Sequence, residues 1–256
     1  MDAIFKKYDF TFILDIHNND QHISFKGASA TSDQLAQLWG LIAERWGKYS
    51  NIWFEIYNEP PHTMDVGVWT NMVEASIDAI RCAGASNKIL VDGINYTNIY
   101  NDNGNWVEDN ASLVAAMKAK GDSNLAFSIH QYFDATYEGS GVGSDGATDA
   151  LWDAFDALTT LLETNGFTAY LTETNILKAN TELVDDTDPD YHVMSNLVSK
   201  MKATPSVWKG LCVWEINFNY NNDGGTGNIW NGPAYDSATW TVGAQSTADW
   251  FTTYLR

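Results

Sequence analysis

Basic residues are scarce in this chain. Its 256 residues hold 14 Lys and Arg against 33 Asp and Glu, a formal charge of −19. Such a field repels phosphate backbones and anionic lipid, which argues against nucleic acid and membrane surfaces as partners. Cysteine is scarcer still. Cys82 and Cys212 define neither a disulfide framework nor a metal site, and their places in a predicted helix and a predicted strand make buried free thiols the expected state. Long apolar runs are missing too: nothing approaches the roughly 20 residues of a membrane helix, and residues 1–7 lack the apolar centre of a signal peptide. The expectation is a soluble chain. With 45% hydrophobic residues it can bury one substantial core, so residues 1–256 are read as one domain.

What is present centres on residues 52–61, Ile-Trp-Phe-Glu-Ile-Tyr-Asn-Glu-Pro-Pro. An apolar, β-prone run ends on Asn58 and Glu59 and is stopped by Pro60 and Pro61, which lack a ladder N–H and fix φ. Residues 169–175, Ala-Tyr-Leu-Thr-Glu-Thr-Asn, repeat the arrangement with Glu173. Two glutamates on strand ends point to carboxylate-pair chemistry.

The rest of the chain alternates. Strands are expected over 8–17, 52–57, 88–93, 125–132, 167–173 and 210–217, from β-rich or continuous apolar runs. Helices are expected from the Thr31-Ser32-Asp33 cap to Tyr49, over 65–82, 111–118, 148–164, 191–203 and 247–255. Residues 139–146, rich in Gly and Ser, read as a mobile loop. The acidic run 185–190 suits the positive end of the following helix better than a calcium loop, whose glycine and terminal glutamate it lacks. Six strands alternating with helices predict an all-parallel α/β sheet covered on its faces.

In such folds the C-terminal strand ends gather around one site. Here they supply His17, Asn58 with Glu59, Asn95 with Tyr96, His130 with Tyr132, Glu173 and Trp214. Strand alternation puts His130 and Tyr132 on one face. Carboxylates, imidazoles, a phenol, an amide and an indole make a coherent set for glycosidic bond cleavage, one carboxyl donating a proton and the other attacking the anomeric carbon. Trp39, Trp46, Trp53 and Trp69 fall at packing positions, and His22, His62 and His192 in loops or on the surface. Tyr96, Trp106, Trp230 and His62 are weaker candidates for lining sugar subsites.

Tyr57-Asn58-Glu59-Pro60, residues 128–132 (Ser-Ile-His-Gln-Tyr), Leu171-Thr172-Glu173 and Val213-Trp214, in that order, resemble glycoside hydrolase family 5, the cellulase-like retaining enzymes. The resemblance implies a (β/α)8 TIM-barrel type fold with only six βα units here, strands three to eight. It makes Glu59 the general acid/base, Glu173 the nucleophile, Asn58 the partner of the sugar 2-hydroxyl and Tyr132 the phenol on the nucleophile. His17 and His130 would line the cleavage subsite, and Trp214 would be its sugar platform. It implies endo-cleavage of β-1,4-glucan, with a β-mannanase or a catalytically impaired sugar-binding remnant as alternatives. It further implies no metal or organic cofactor, a β-linked polysaccharide or oligosaccharide as partner, a monomer, and an extracellular protein. The departure is at the N-terminal side. The family's first two βα units have no counterpart, nor has its strand-two arginine, since Arg45, Arg81 and Arg256 fall in helices or at the terminus; the expectation is an N-terminally incomplete catalytic domain.

Overall fold

A computed structural model describes residues 10–17, 24–25, 28–139, 141, 143–175, 187 and 189–214. Its elements in chain order are β1 (Phe12–Asp15), β2 (Ser24–Phe25), β3 (Ala28–Ser29), α1 (Ser32–Trp46), β4 (Ile52–Glu55), α2 (Val66–Cys82) and β5 (Ile89–Asp92). Then come β6 (Tyr100–Asn101), β7 (Gly104–Asn105), α3 (Trp106–Lys120), β8 (Leu125–Tyr132), α4 (Asp149–Asn165), β9 (Ala169–Asn175), α5 (Pro189–Ala203) and β10 (Trp208–Val213). The expected helix over 247–255 and the loop holding Trp230 lie outside the described residues.

One six-stranded sheet runs β1-β4-β5-β8-β9-β10, parallel at every pairing. Consecutive units pair side by side, as expected of a barrel wall. The sheet curls into a half-barrel. Trp53 on β4 and Tyr170 on β9 belong to strands three positions apart, about 14 Å in a flat sheet, yet their rings meet edge to face at 4.9 Å. The small hairpins β2-β3 and β6-β7 were not expected, being only two residues per strand.

The helices sit where their caps and stripes dictate. Thr31 closes a reciprocal capping box with Gln34 on α1, and the Asp65 side chain accepts from Val68 N on α2, each satisfying an otherwise unpaired first-turn donor. Asn105 does the same for α3, which therefore begins at Trp106 rather than at 111. The apolar spacing expected for α2 holds, with Trp69, Met72, Val73, Ile77 and Ile80 buried. Buried indoles also carry a polar end that must be paired. Trp39 donates to Ile56 O (2.9 Å), Trp69 to Asp92 O (2.8 Å) and Trp208 to Thr159 Oγ1 (2.9 Å).

The outward residues of the strands, such as Ile52, Phe54, Ile89, Val91 and Phe127, join this helix-facing core. Alternation then turns Trp53, Glu55 and Asp92 to the concave side. Both cysteines are free and exposed, contrary to the buried state expected. Cys82 ends α2, and Cys212 sits on β10, the edge strand of the six-stranded sheet among the described residues. In the stretch expected to be a mobile loop, Gly139 N and Gly141 N donate to Asp134 carboxylate oxygens (2.8 and 3.2 Å), and Gly146 N donates to Phe133 O (2.8 Å). No helix among the described residues is long and apolar enough to cross a membrane.

Gly93, at the tip of β5, shows how tightly the sheet's C-terminal rim is packed. A Cβ there would lie 2.5 Å from Trp106 Nε1 and 2.7 Å from Asn110 Nδ2, both side chains being fully buried. Gly93→Ala is expected to cost about 1–3 kcal/mol by overpacking, read as a lower urea midpoint at unchanged m-value.

Candidate active site

The rim is built by backbone bonds that run between strand tips. Asn58 N donates to Ile16 O (3.2 Å), and Tyr96 N to Pro60 O (2.8 Å). The turn after β4 is thereby held between the ends of β1 and β5. Glu59 sits at φ 51°, and Asn95, Tyr96 and Thr97 at 62°, 59° and 50°. Non-glycine residues pay for left-handed backbone, typically 1–3 kcal/mol each, and hold it only where the surroundings over-determine it. At Thr97 the determinants are visible: its hydroxyl donates to Ser128 O (2.6 Å) and accepts from Gly93 N (3.0 Å) and Trp106 Nε1 (3.3 Å). His130 N in turn donates to Thr97 O (3.1 Å).

On this frame the expected residues converge around His130. His130 is 1% exposed, with Nδ1 2.8 Å from Glu59 Oε1 and 3.8 Å from Glu173 Oε2. Tyr132, two residues on and on the same face, donates from its hydroxyl to Glu173 Oε1 at 2.6 Å. Oxygens of Glu59 and Glu173 come within 4.8 Å of one another. Asn58 is buried beside Glu59. His17 and Trp214, from the two ends of the sheet order, stack with centroids 5.4 Å apart and planes 12° apart. Trp214 stays 43% exposed, and His17 Nδ1 lies 3.0 Å from Asp15 Oδ2.

The weaker candidates divide. His62 and Tyr96 pair at the rim, Nδ1 to hydroxyl 3.4 Å. Trp106 is not a subsite residue: it is fully buried, edge-on to Phe127, because the Asn105 cap draws it into α3. Trp230 lies outside the described residues. Sequence reasoning missed Glu55 and Asp92, acidic residues inside apolar strands, where the one signal was a charge on an otherwise hydrophobic run. Ser128 hydrogen-bonds both Glu55 and Thr172.

Burial is the dominant electrostatic force here. It pushes the Glu173 carboxyl up from its ordinary range, against the opposing pull of His130 and the Tyr132 hydroxyl. It raises Glu55 and raises Asp92 further. Burial alone would lower His130, but the bond to Glu59 and the charges of Glu173, Glu59 and Glu55 outweigh it and raise the imidazole. Two trios bring ligand atoms within 4.8 Å, Glu59-His130-Glu173 and Glu55-Asp92-His130. In the first, hydrogen bonds already join His130 to Glu59 and Tyr132 to Glu173, so it reads as an acid–base set rather than metal ligands.

Parallel barrel strands with a carboxyl pair at their C-terminal tips define a class, the (β/α)8-type hydrolase scaffold. The chain belongs to the cellulase family, glycosyl hydrolase family 5, whose family model matches residues 3–216. Endoglucanase EG-II of Hypocrea jecorina is 32% identical over 170 residues, covering 63% of this chain and 38% of its own length. Endoglucanase 1 of Saitozyma flava is 33% identical over 168 residues, covering 63% and 47%. The crystal structure of Cel5A (EG2) from Hypocrea jecorina (Trichoderma reesei) superposes with TM-score 0.70 at 25% identity, over 90% of this chain and 66% of that one. The chain thus spans 38% and 47% of the length of these two curated relatives.

These shifts set a pH dependence. Glu173, Glu55 and Asp92 hold protons more tightly folded than unfolded, so between the unfolded carboxyl range near pH 4 and their raised folded values the native state binds more protons and stability falls as pH rises. His130 acts in the same sense: its contribution is complete below the unfolded value of about 6.5 and is lost as pH climbs through the raised folded value. Thermal melts are expected to give a higher Tm at pH 5 than at pH 8, with Asp92→Asn flattening the slope.

Proposed function

We propose that the chain is the catalytic domain, or the greater part of one, of an endo-acting β-1,4-glucan hydrolase that works with retention. The observation that carries this reading is the close approach of Glu59 and Glu173, within 4.8 Å at their nearest oxygens. Retaining glycosidases hold their carboxyls about 5–5.5 Å apart, whereas inverting ones leave about 6.5–9.5 Å for a water.

In the first step Glu59 gives its proton to the glycosidic oxygen as that bond breaks, and Glu173 attacks the anomeric carbon to form a glycosyl ester. In the second, Glu59, now a carboxylate, takes a proton from water. The resulting hydroxyl attacks the same carbon and releases Glu173, so two inversions leave the configuration retained. Tyr132, at 2.6 Å from Glu173, steadies the nucleophile as its charge is spent and regained. Asn58, next in chain to the acid, suits the sugar 2-hydroxyl. Trp214 offers an apolar face to a pyranose ring, with His17 stacked against the indole.

Relatives named endoglucanases support glucan as the polymer, and such a polymer is too large to enter a cell, which supports extracellular work. Because burial raises Glu173, the acidic limb of the kcat/KM profile is expected above the ordinary carboxylate range, since only the ionised form attacks.

Reducing-sugar release from carboxymethyl cellulose tests the reading. Glu59→Gln and Glu173→Gln are each expected to lower kcat by about 10²–10⁴-fold, and azide is expected to restore turnover to Glu173→Ala with inverted product. Equal or faster release from mannan would move the substrate to β-mannan. Oligosaccharide binding by calorimetry without any release, unchanged in Glu173→Gln, would make the chain a sugar-binding remnant.

A further inference from the structure

Beneath His130 lies a second acidic pair that the hydrolytic reading does not use. Glu55 on β4 is 5% exposed and Asp92 on β5 is fully buried. An oxygen of each and a ring nitrogen of His130 fall within 4.8 Å of one another. Two carboxyls this close and this buried do not both ionise. Glu55 is the ionised member: the Ser128 hydroxyl hydrogen-bonds Glu55 Oε1, and although the same hydroxyl also favours an ionised Asp92, deeper burial holds that carboxyl higher, with neither of its oxygens in hydrogen-bonding geometry. Nδ1 of the ring is taken by Glu59, and the buried pair adds negative charge within 4.8 Å of a ring nitrogen.

We propose that Glu55 is a positioning residue for the catalytic proton: its buried carboxylate is the counter-charge that keeps that proton on the Glu59–His130 pair, while Asp92 is its neutral companion. Glu59 and His130 share one donatable proton, whichever atom carries it at a given instant. Loss of that proton ends general-acid catalysis, so the charge beneath His130 fixes how far into the basic range the pair stays loaded. Among the described residues, the other charged groups facing His130 are Glu173, its register partner on the neighbouring strand β9 at 3.8 Å, and Asp15 on β1, felt through its charge. The two groups support each other: burial raises the Glu55 carboxyl and the charge of His130 draws it back down, while the Glu55 charge raises the imidazole.

The inference rests on the hydrolytic reading for its consequence but not for its test. Nitrogen-15 NMR of the imidazoles, of which the sequence has five, follows the His130 titration in the free chain. Glu55→Gln is expected to lower its midpoint by about one pH unit or more, the usual effect of removing an opposite charge at this range. Asp92→Asn is expected to leave it in place, because an amide replaces a neutral carboxyl. Ser128→Ala, which keeps Glu55 but removes its donor, is expected to lower it by less, and serves if Glu55→Gln does not fold. In the glucanase assay the basic limb of kcat/KM is expected to fall with the NMR midpoint. No movement in folded Glu55→Gln and Ser128→Ala, or equal movement in Asp92→Asn, would overturn the proposal. So would Mn²⁺ binding that both Glu55→Gln and Asp92→Asn abolish, since the trio would then be a metal site. A chain that releases no sugar fails the hydrolytic reading and leaves the NMR result standing.

Discussion

The hydrogen bond between His130 Nδ1 and Glu59 Oε1, 2.8 Å long, depends on several parts of the structure at once. His130 must sit on the concave face of β8, which is buried along its whole length. Glu59 must leave β4 with left-handed backbone, and Pro60 must be held by Tyr96 N. The strained Asn95–Thr97 loop is fixed by Thr97, whose hydroxyl bridges β5, α3 and β8. Packing around Gly93 then closes the arrangement from behind. The site's geometry is thus set by tertiary bonds between strand tips, and the strain stored at Glu59 is a cost met by the helix-backed core.

The same rim concentrates charge that the fold must accommodate. Four acidic side chains, Glu55, Glu59, Asp92 and Glu173, surround one imidazole. Burial pushes three of them toward the protonated form, and the imidazole toward its charged form. Each effect favours binding protons in the folded state. An acidic chain that carries −19 overall thereby couples its stability to pH in the direction opposite to a protein held together by ionised surface pairs. The Arg81–Asp122 pair, 2.6 Å and hydrogen-bonded also to Ala85 O and Asn87 O, is the counter-example: there the guanidinium helps hold Asp122 below its usual range.

Much of this was legible in the residues. Apolar runs ending in Asn-Glu-Pro and Thr-Glu located both carboxyls, because proline and polar strand ends are local signals that tertiary context seldom overrides. Helical spacing placed α1, α2 and α4 to within a few residues, and period-two alternation put His130 and Tyr132 on one side of β8. Other features were hidden for physical reasons. Trp106 looked like a loop aromatic because the Asn105 cap that draws it into α3 is one polar residue among several. Cys212 was expected to be buried because strand residues usually are, and sequence does not reveal that β10 is the end of the described sheet. The tiny hairpins carry no periodicity to detect.

Sequence alone determined the alternation of strand and helix, the identity of the two carboxyls and the family, since each follows from short-range pattern and motif order. Only the tertiary structure decided what the carboxyls touch. Strand curl brings β4, β5, β8 and β9 to a common focus, and that focus shows Glu55 and Asp92 as a buried acidic layer under His130 rather than stray charges in apolar strands. Distances between side chains that are tens of residues apart are set by packing across the sheet, which no local pattern encodes.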